Sequence, residues 1–157
     1  AIGINVSNAY AKADSPKEKF YMIVDKQFHK YWTDCLGNPP IPYGHHVIPI
    51  LKTLQWHPEA SWLWHKHMHG IMLDNLDFKA CTHEHCLYKH KKITNDLIIV
   101  LRQVDNFISS AKVHETVLDV KAQLQLQMTN PLHNIVIIKQ FNGVDIQQTC
   151  YYVIVFA

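Results

Sequence analysis

Apolar residues alternate with small or polar residues over positions 2–7 of the chain. A period of two predicts a β-strand with one buried face. Ile4 and Val6 then share the buried face, and Asn5 points away from it.

Two stretches repeat their apolar residues at the spacing of a helix. The first follows Pro58 and predicts an amphipathic helix that ends near Asp74. Its apolar positions are Ala60, Leu63, Trp64, His67, Met68 and Ile71. The second predicts a helix with Ser109 or Ser110 as its N-cap and Pro131 as its stop. Its apolar positions are Val113, Val117, Val120, Leu124 and Met128.

Further runs rich in β-branched and aromatic residues predict strands. Three of them cover residues 87–90, 96–104 and 107–110, with Asp105 and Asn106 as the turn before the third. Two more, over 135–141 and 144–156, flank Asn142-Gly143, a strong hairpin signal. Residues 33–49 are rich in Gly and Pro and predict a long loop without helix or central strand. The order of elements predicts an α+β domain, with helices on one face of an antiparallel sheet.

Composition narrows the class of protein further. The chain has 157 residues, 48% of them hydrophobic and 18% charged, which fits one globular domain. No apolar run is long enough to cross a bilayer, so we expect no membrane contact. A net charge of +2 does not by itself predict nucleic-acid binding. Four scattered cysteines favour a reducing, intracellular compartment. Because the chain opens on Ala1 without methionine, we expect a piece of a longer polypeptide.

Twelve histidines are unusual for this length, and several lie near cysteines. The densest group comprises Cys81, His83, His85 and Cys86, all of which are potential zinc ligands. Structural zinc sites usually use two separated pairs of ligands, whereas these four are crowded together. His65, His67 and His69 lie on the predicted helix, where alternate residues are turned by roughly 200° and cannot all face one ion. This pattern is typical of half-exposed helix and loop histidines.

Six short segments stand in an order that covers nearly the whole chain. They are NVSNAYA at 5–11, ADSPKEKFYM at 13–22, LQWHPEASWLW at 54–64, CLY at 86–88, VDNF at 104–107 and FNG at 141–143. Together they resemble the reverse transcriptase of copia-type LTR retrotransposons. The family patterns are Asp-Val-x-Asn-Ala-Phe, Glu-Glu-x-Val-Tyr-Met, Leu-Tyr-Gly-Leu-Lys-Gln-Ala with a following Trp, Pro-Cys-Leu-Tyr, Tyr-Val-Asp-Asp and Phe-Leu-Gly.

The resemblance implies a fold and a set of partners. Residues 1–157 would be the palm region of a longer polyprotein, an antiparallel sheet backed by helices, with fingers, thumb and RNase H largely absent. The implied reaction is RNA-directed DNA synthesis on a template with a primer, from nucleoside triphosphates. The implied cofactor is Mg²⁺, with Mn²⁺ as a substitute, and the implied location is a cytoplasmic particle.

The resemblance also assigns roles to individual residues. Asn5, Asp105 and Asn106 stand at the three catalytic positions, and Asp105 alone keeps the metal-binding carboxylate. Tyr10 and Glu59 match residues near the incoming nucleotide. Phe141, Asn142 and Gly143 match the hairpin that positions the primer. Tyr10 is also explained as a plain strand aromatic, and Asn142-Gly143 as a plain tight turn.

The chain departs from the family pattern in ways that bear on activity. Asn5 and Asn106 replace aspartates, and an amide offers an oxygen without the charge that a pair of Mg²⁺ ions requires. Trp56 stands where a glycine is usual, and Gln103 replaces the tyrosine of the doublet motif. We therefore expect catalysis to be impaired. The alternative hypothesis is a non-catalytic module that binds metal through the Cys81, His83, His85 and Cys86 group, or binds nucleic acid.

Overall fold

A computed structural model describes residues 1–40, 47–91, 96–128, 132–135, 138–148 and 153–156. It contains both helices and a predominantly antiparallel sheet, in agreement with the predicted α+β class. The chain divides into two compact units. The larger comprises Ala1–Ala9 and Trp64–Ala157, and the smaller comprises Tyr10–Leu63.

The described helices and strands are as follows. The helices are α1 (Ala9–Lys12), α2 (Lys26–Lys30), α3 (Ala60–Gly70) and α4 (His114–Leu126). The strands are β1 (Ile2–Asn5), β2 (Phe20–Ile23), β3 (Val47–Ile50), β4 (Lys79–Ala80), β5 (Leu87–Lys91), β6 (Leu97–Gln103), β7 (Asn106–Ser110), β8 (His133–Ile135), β9 (Gln140–Phe141), β10 (Val144–Gln148) and β11 (Val153–Phe156). Five-residue π-helical turns, Tyr31–Cys35 and Ile71–Asn75, continue α2 and α3.

The larger unit is built on a six-stranded antiparallel sheet in the order β4-β5-β6-β7-β1-β8. The first strand, β1, lies between β7 and β8. The chain runs from β1 through α3 to the β6–β7 hairpin, and from there through α4 to β8. This is the order of a split β-α-β-β-α-β arrangement with two extra strands at one edge.

One face of this sheet is buried. Ile98, Val100 and Arg102 alternate with more exposed residues along β6, as the period of two requires. Ile2 and Ile4 of β1 are buried opposite Ser109 and Phe107 of β7. The predicted alternation in residues 2–7 is therefore confirmed.

Both helices that the spacing of apolar residues predicts are present. Along α3 and the π-helical turn after it, Ala60, Leu63, Trp64, Met68 and Ile71 are buried, as the spacing predicts. Met72 is buried in addition, and the sixth predicted position, His67, is only half-buried. Val117, Val120 and Leu124 are buried along α4.

The predicted N-cap of the second helix is wrong. Ser109 and Ser110 lie in β7, and α4 begins only at His114, with Val113 at the cap and no side-chain hydrogen bond. Ser109 faces the core opposite Val100, so pairing in the sheet outweighs the capping preference of serine. The predicted stop, Pro131, lies outside the described residues.

Three strand predictions need correction. The predicted run 144–156 contains two strands, β10 and β11, which pair antiparallel with each other. The turn between β6 and β7 is Val104-Asp105, and Asn106 already belongs to β7, where it pairs with Gln103. The predicted run 135–141 is two separate strands. Its first residue ends β8 in the main sheet, whereas Gln140–Phe141 form β9, which pairs with β10 in a separate three-stranded sheet.

The hairpin predicted at Asn142-Gly143 is confirmed. Both residues have positive φ angles, 52° and 75°, which a tight turn of this kind requires. It joins β9 to β10, with Phe141 opposite Val144.

The smaller unit carries a two-stranded antiparallel ribbon, β2 and β3, and the short helix α2. Asp25 caps α2 by accepting a hydrogen bond from the N–H of Phe28 at 2.7 Å. The predicted loop over 33–49 is wrong at both ends. Thr33–Cys35 are helical because the first helix breaker is Gly37, and Val47–Ile50 form β3, an edge strand in which Pro49 is tolerated. Residues 41–46 lie outside the described residues.

Among the described residues, no helix combines the length and the apolar character that a bilayer span needs.

Candidate functional site

Asn5, Asp105 and Asn106 form one hydrogen-bonded cluster in the larger unit. Asn5 is the last residue of β1 and pairs directly with Asn106, the first residue of β7. Asp105 precedes Asn106 in the β6–β7 turn. Asn5 and the adjacent pair Asp105 and Asn106, which lie 100 residues further along the sequence, are therefore brought together at the ends of two neighbouring strands.

Three short hydrogen bonds join the side chains of this cluster. The Asn5 amide Nδ2 donates to Asp105 Oδ2 at 3.2 Å and to Asn106 Oδ1 at 2.9 Å. The Asn106 amide Nδ2 donates to the second carboxylate oxygen, Asp105 Oδ1, at 3.1 Å. Both oxygens of Asp105 and the amide oxygen of Asn106 therefore already accept hydrogen bonds, and all three side chains are partly buried.

The backbone of the turn is held by neighbours from two elements. Trp64 of α3 donates its indole N–H to the carbonyl of Val104 at 2.6 Å. The N–H of Val6 donates to the carbonyl of Asp105 at 2.8 Å. Val104 itself has φ +49°, an unfavourable angle for a β-branched residue. These two bonds to consecutive carbonyls fix the direction in which Asp105 leaves the turn.

The oxygen atoms of this cluster determine whether it can hold a pair of Mg²⁺ ions. Among the described residues of the cluster, Asp105 contributes the single carboxylate, and amide N–H groups occupy both of its oxygens. Mg²⁺ prefers charged oxygen ligands and near-octahedral geometry. An N–H group that points at the same oxygens opposes a cation instead of binding it. The residues present do not fit a two-metal centre.

A small cavity of about 130 Å³ adjoins the cluster. Asn106 belongs to its wall, as do Phe141 and Asn142 of the β9–β10 hairpin. The remaining lining residues are Gly3, Ile4, Phe107, Ile138 and Gln140. Two of the three residues that the resemblance assigns to primer positioning therefore line the same cavity as one of the three catalytic positions, while Gly143 lies in the adjoining turn.

Tyr10 and Glu59, the two residues assigned to the nucleotide, belong to the smaller unit. The carbonyl of Tyr10 accepts a hydrogen bond of 2.5 Å from the hydroxyl of Thr53, which is fully buried. The carboxylate of Glu59 accepts the N–H of Lys17 at 2.9 Å, and its own N–H donates to His57 Nδ1 at 3.1 Å. Tyr10 lies in α1, so the explanation as a strand aromatic is wrong.

Trp56, which stands at the glycine position of the family pattern, also lies in the smaller unit. Its φ angle is +76°, in the left-handed region that favours glycine. Its indole is 91% exposed. The backbone therefore keeps a glycine-like conformation although the side chain is the bulkiest of all.

The Cys81, His83, His85 and Cys86 group does not gather around a common point. Within the described ranges, no three His, Cys, Asp or Glu side chains are arranged to hold a metal ion. His83 and His85 are exposed. On the helix, His65 and His69 stack at 5.3 Å, whereas His67 lies 5.8 Å from Trp64, as the predicted separation around the helix axis requires.

Sequence reasoning missed two residues that shape this region. Trp64 was expected only as a core residue, although a buried indole N–H needs an acceptor and thus signals a specific partner. Arg102 was not singled out at all. The alternation along β6 places it on the same face as Ile98 and Val100, which marks it as a buried charge.

No family model, no curated protein and no solved structure matches this chain.

Proposed function

We propose that the chain is the palm region of a copia-type reverse transcriptase that no longer transfers nucleotides. One observation carries the proposal. Asn5, which the resemblance assigns to catalysis, is hydrogen-bonded at a hairpin turn to the adjacent pair Asp105 and Asn106, the other two assigned positions, although 100 residues separate Asn5 from Asp105. If the resemblance of the short motifs were a coincidence, nothing would require these three side chains to lie in contact.

Three further features support the palm assignment. The larger unit combines an antiparallel sheet with helices, which is the class of fold that the resemblance implies. Phe141 and Asn142 line a cavity together with Asn106. Trp56 has a glycine-like backbone at the position where the family has glycine.

The loss of activity follows from the amides. Two-metal catalysis works by neutralising the charge that develops on the phosphoryl oxygens. Asn5 and Asn106 add no negative charge, and their N–H groups satisfy the carboxylate that remains. Under this proposal, the partners of the family, a template-primer duplex and nucleoside triphosphates, were ligands of the active ancestor of this chain.

The proposal is tested by restoring the two carboxylates. The double variant Asn5→Asp/Asn106→Asp should bind Mn²⁺ at least about tenfold more tightly than the unmodified protein, because three carboxylates then share one site. Electron paramagnetic resonance of free Mn²⁺ measures the affinity. Adding Asp105→Asn to the double variant should remove the gain.

A matched control separates a site from a general charge effect. Gln55→Glu/Gln147→Glu adds the same two charges at exposed positions and should leave Mn²⁺ affinity within about twofold of the unmodified protein. If the double Asp variant binds no better than this control, the three positions are not a former metal site. Template-dependent primer extension by the unmodified protein would contradict the loss of activity.

A further inference from the structure

A second cluster of reactive side chains surrounds Cys86 in the larger unit, apart from the Asn5, Asp105 and Asn106 cluster. The guanidinium of Arg102 lies at its centre. Its Nη2 atom donates to Cys86 Sγ at 3.1 Å and to His65 Nδ1 at 2.7 Å. Burial raises the pKa of the nearby Tyr88 hydroxyl, and the positive charge of Arg102 opposes that rise.

Arg102 is a buried cation whose hydrogen bonds, in the described part of the chain, go to a thiol and an imidazole rather than to a carboxylate. Only 4% of its surface is exposed, and its Nε atom is buried without a hydrogen-bond partner among the described residues. The carboxylate of Glu84 belongs to the same surroundings, since it accepts the N–H of Cys86 at 2.8 Å. A buried cation normally needs a compensating negative charge. Of the two groups that Arg102 contacts, the thiol of Cys86 is the one that can lose a proton to become an anion.

His65 does not provide this negative charge. Burial, followed by the positive charge of Arg102, holds the pKa of His65 below its ordinary value, so the imidazole is neutral at pH 7. Its Nδ1 lone pair accepts the N–H of Arg102, and the 3.9 Å separation between Nδ1 and Cys86 Sγ is long for a proton transfer. The guanidinium is therefore the group that acts on the sulfur.

We propose that Cys86 is a peroxide-sensitive thiol activated by Arg102. The thiolate is the reacting form of cysteine, and a neighbouring arginine favours it. Cys86 is partly exposed, so a small peroxide can reach its sulfur. The sulfur attacks one peroxide oxygen, an S–O bond forms, and the O–O bond breaks. Sulfur is oxidised by two electrons to sulfenic acid, and the peroxide is reduced. The leaving hydroxide takes a proton from solvent to give water, which balances the proton that the thiol released when it formed the thiolate.

The other described cysteines provide internal controls. Cys81 has a similar partial exposure and lies on the same β4–β5 hairpin, where its N–H donates to the carbonyl of Leu87. Cys35 is fully exposed in the smaller unit. Neither sulfur has a hydrogen-bond contact with an arginine in the described part of the chain. If exposure alone decided reactivity, Cys35 would react first.

The experiment uses three full-length variants that each keep one of these cysteines, with Cys150→Ser in all of them. Each protein is treated with hydrogen peroxide at pH 7, and sulfenic acid is trapped with dimedone and followed by intact mass. We expect Cys86 to be modified about tenfold faster than Cys35 or Cys81. In urea, which removes the contact with Arg102, the three rates should become equal within about twofold.

Arg102→Met, in the variant that keeps Cys86, should lower the rate to that of Cys81. Because this substitution alters a buried site and can impair folding, the urea comparison remains decisive without it. Equal rates in the folded proteins, or an advantage of Cys86 that persists in urea, would overturn the proposal.

Discussion

The amide of Asn5 donates to Asp105 Oδ2 over 3.2 Å, although the two residues are 100 positions apart in the sequence. The same amide donates to Asn106 Oδ1 at 2.9 Å. One side chain thus links the end of β1 to the turn between β6 and β7. This relationship accounts for both parts of the proposed function, because it gathers the three assigned positions and also occupies their oxygens.

Replacing Asn5 should therefore destabilise the larger unit. Asn5→Ala removes two hydrogen bonds to partly buried oxygens, one of them charged, and should lower the free energy of unfolding by about 1–2 kcal/mol. Urea denaturation followed by circular dichroism measures the change. Asn75→Ala is the control, since the Asn75 amide makes one exposed contact with Gln127 and its loss should cost less than about 0.5 kcal/mol. Equal losses for the two variants would mean that the cluster contributes nothing to stability.

Trp64→Phe tests how the Asp105 turn is held. Trp64 is 1% exposed, and its indole N–H is the donor to the Val104 carbonyl. Phenylalanine keeps most of the apolar contact but leaves the carbonyl without this donor, which should cost about 1–3 kcal/mol of unfolding free energy. Amide hydrogen exchange of Val6, whose N–H bonds to the next carbonyl, should become faster. Exchange at Val6 that stays unchanged would show that Trp64 does not fix the turn.

Trp56→Gly should stabilise the smaller unit. A left-handed φ angle costs an L-residue roughly 1–2 kcal/mol, whereas glycine adopts it freely. The exposed indole has little packing to lose. Trp56→Ala is the matched control because it removes the same indole and keeps the Cβ atom. The glycine variant should exceed the alanine variant by about 1 kcal/mol in urea denaturation, and the reverse order would contradict the backbone assignment.

Features that depend on residues close together in the sequence could be predicted, whereas features that depend on contacts between distant residues could not. The helix spacing at Leu63, Trp64 and Met68 and the hairpin at Asn142-Gly143 are local patterns, and both were predicted correctly. The turn before β7 was misplaced by one residue because Asp and Asn are both good turn formers, and only the pairing of Asn5 with Asn106 fixes the register. Residues 135–141 were read as one strand because a run of apolar residues does not reveal where the chain changes sheets.

The same distinction between local patterns and long-range contacts applies to the candidate site. Motif order pointed to Asn5, Asp105 and Asn106, but no local pattern indicates that the amides donate to the carboxylate. That direction depends on side-chain geometry across two strands. The partners of Arg102 could not be predicted either, since His65 lies on α3, Cys86 precedes β5, and both meet Arg102 only in the folded helix and sheet.

The pH dependence of stability tests the environment of His65. Burial comes first among the causes that hold its pKa below the ordinary value, followed by the charges of Arg102, His69 and His85. In the unfolded chain His65 takes up a proton near pH 6.5, whereas in the folded protein it does so only at lower pH. Between these two values the unfolded state binds more protons, so stability is fully present above about pH 6.5 and is lost as the pH falls through the folded value. Urea midpoints at pH 7.5 and pH 5 measure this loss.

The variant His65→Asn should reduce the loss of stability between pH 7.5 and pH 5, because it removes the titrating group. His83→Asn removes a histidine that is exposed and should leave the loss unchanged. The comparison separates the loss of this imidazole from the general effect of removing one histidine from the chain. If both variants lose as much stability as the unmodified protein, the neutral imidazole beside Arg102 contributes nothing to acid sensitivity. If only His65→Asn becomes less sensitive, protonation of this imidazole opposes folding, as its burial and the neighbouring charge of Arg102 require.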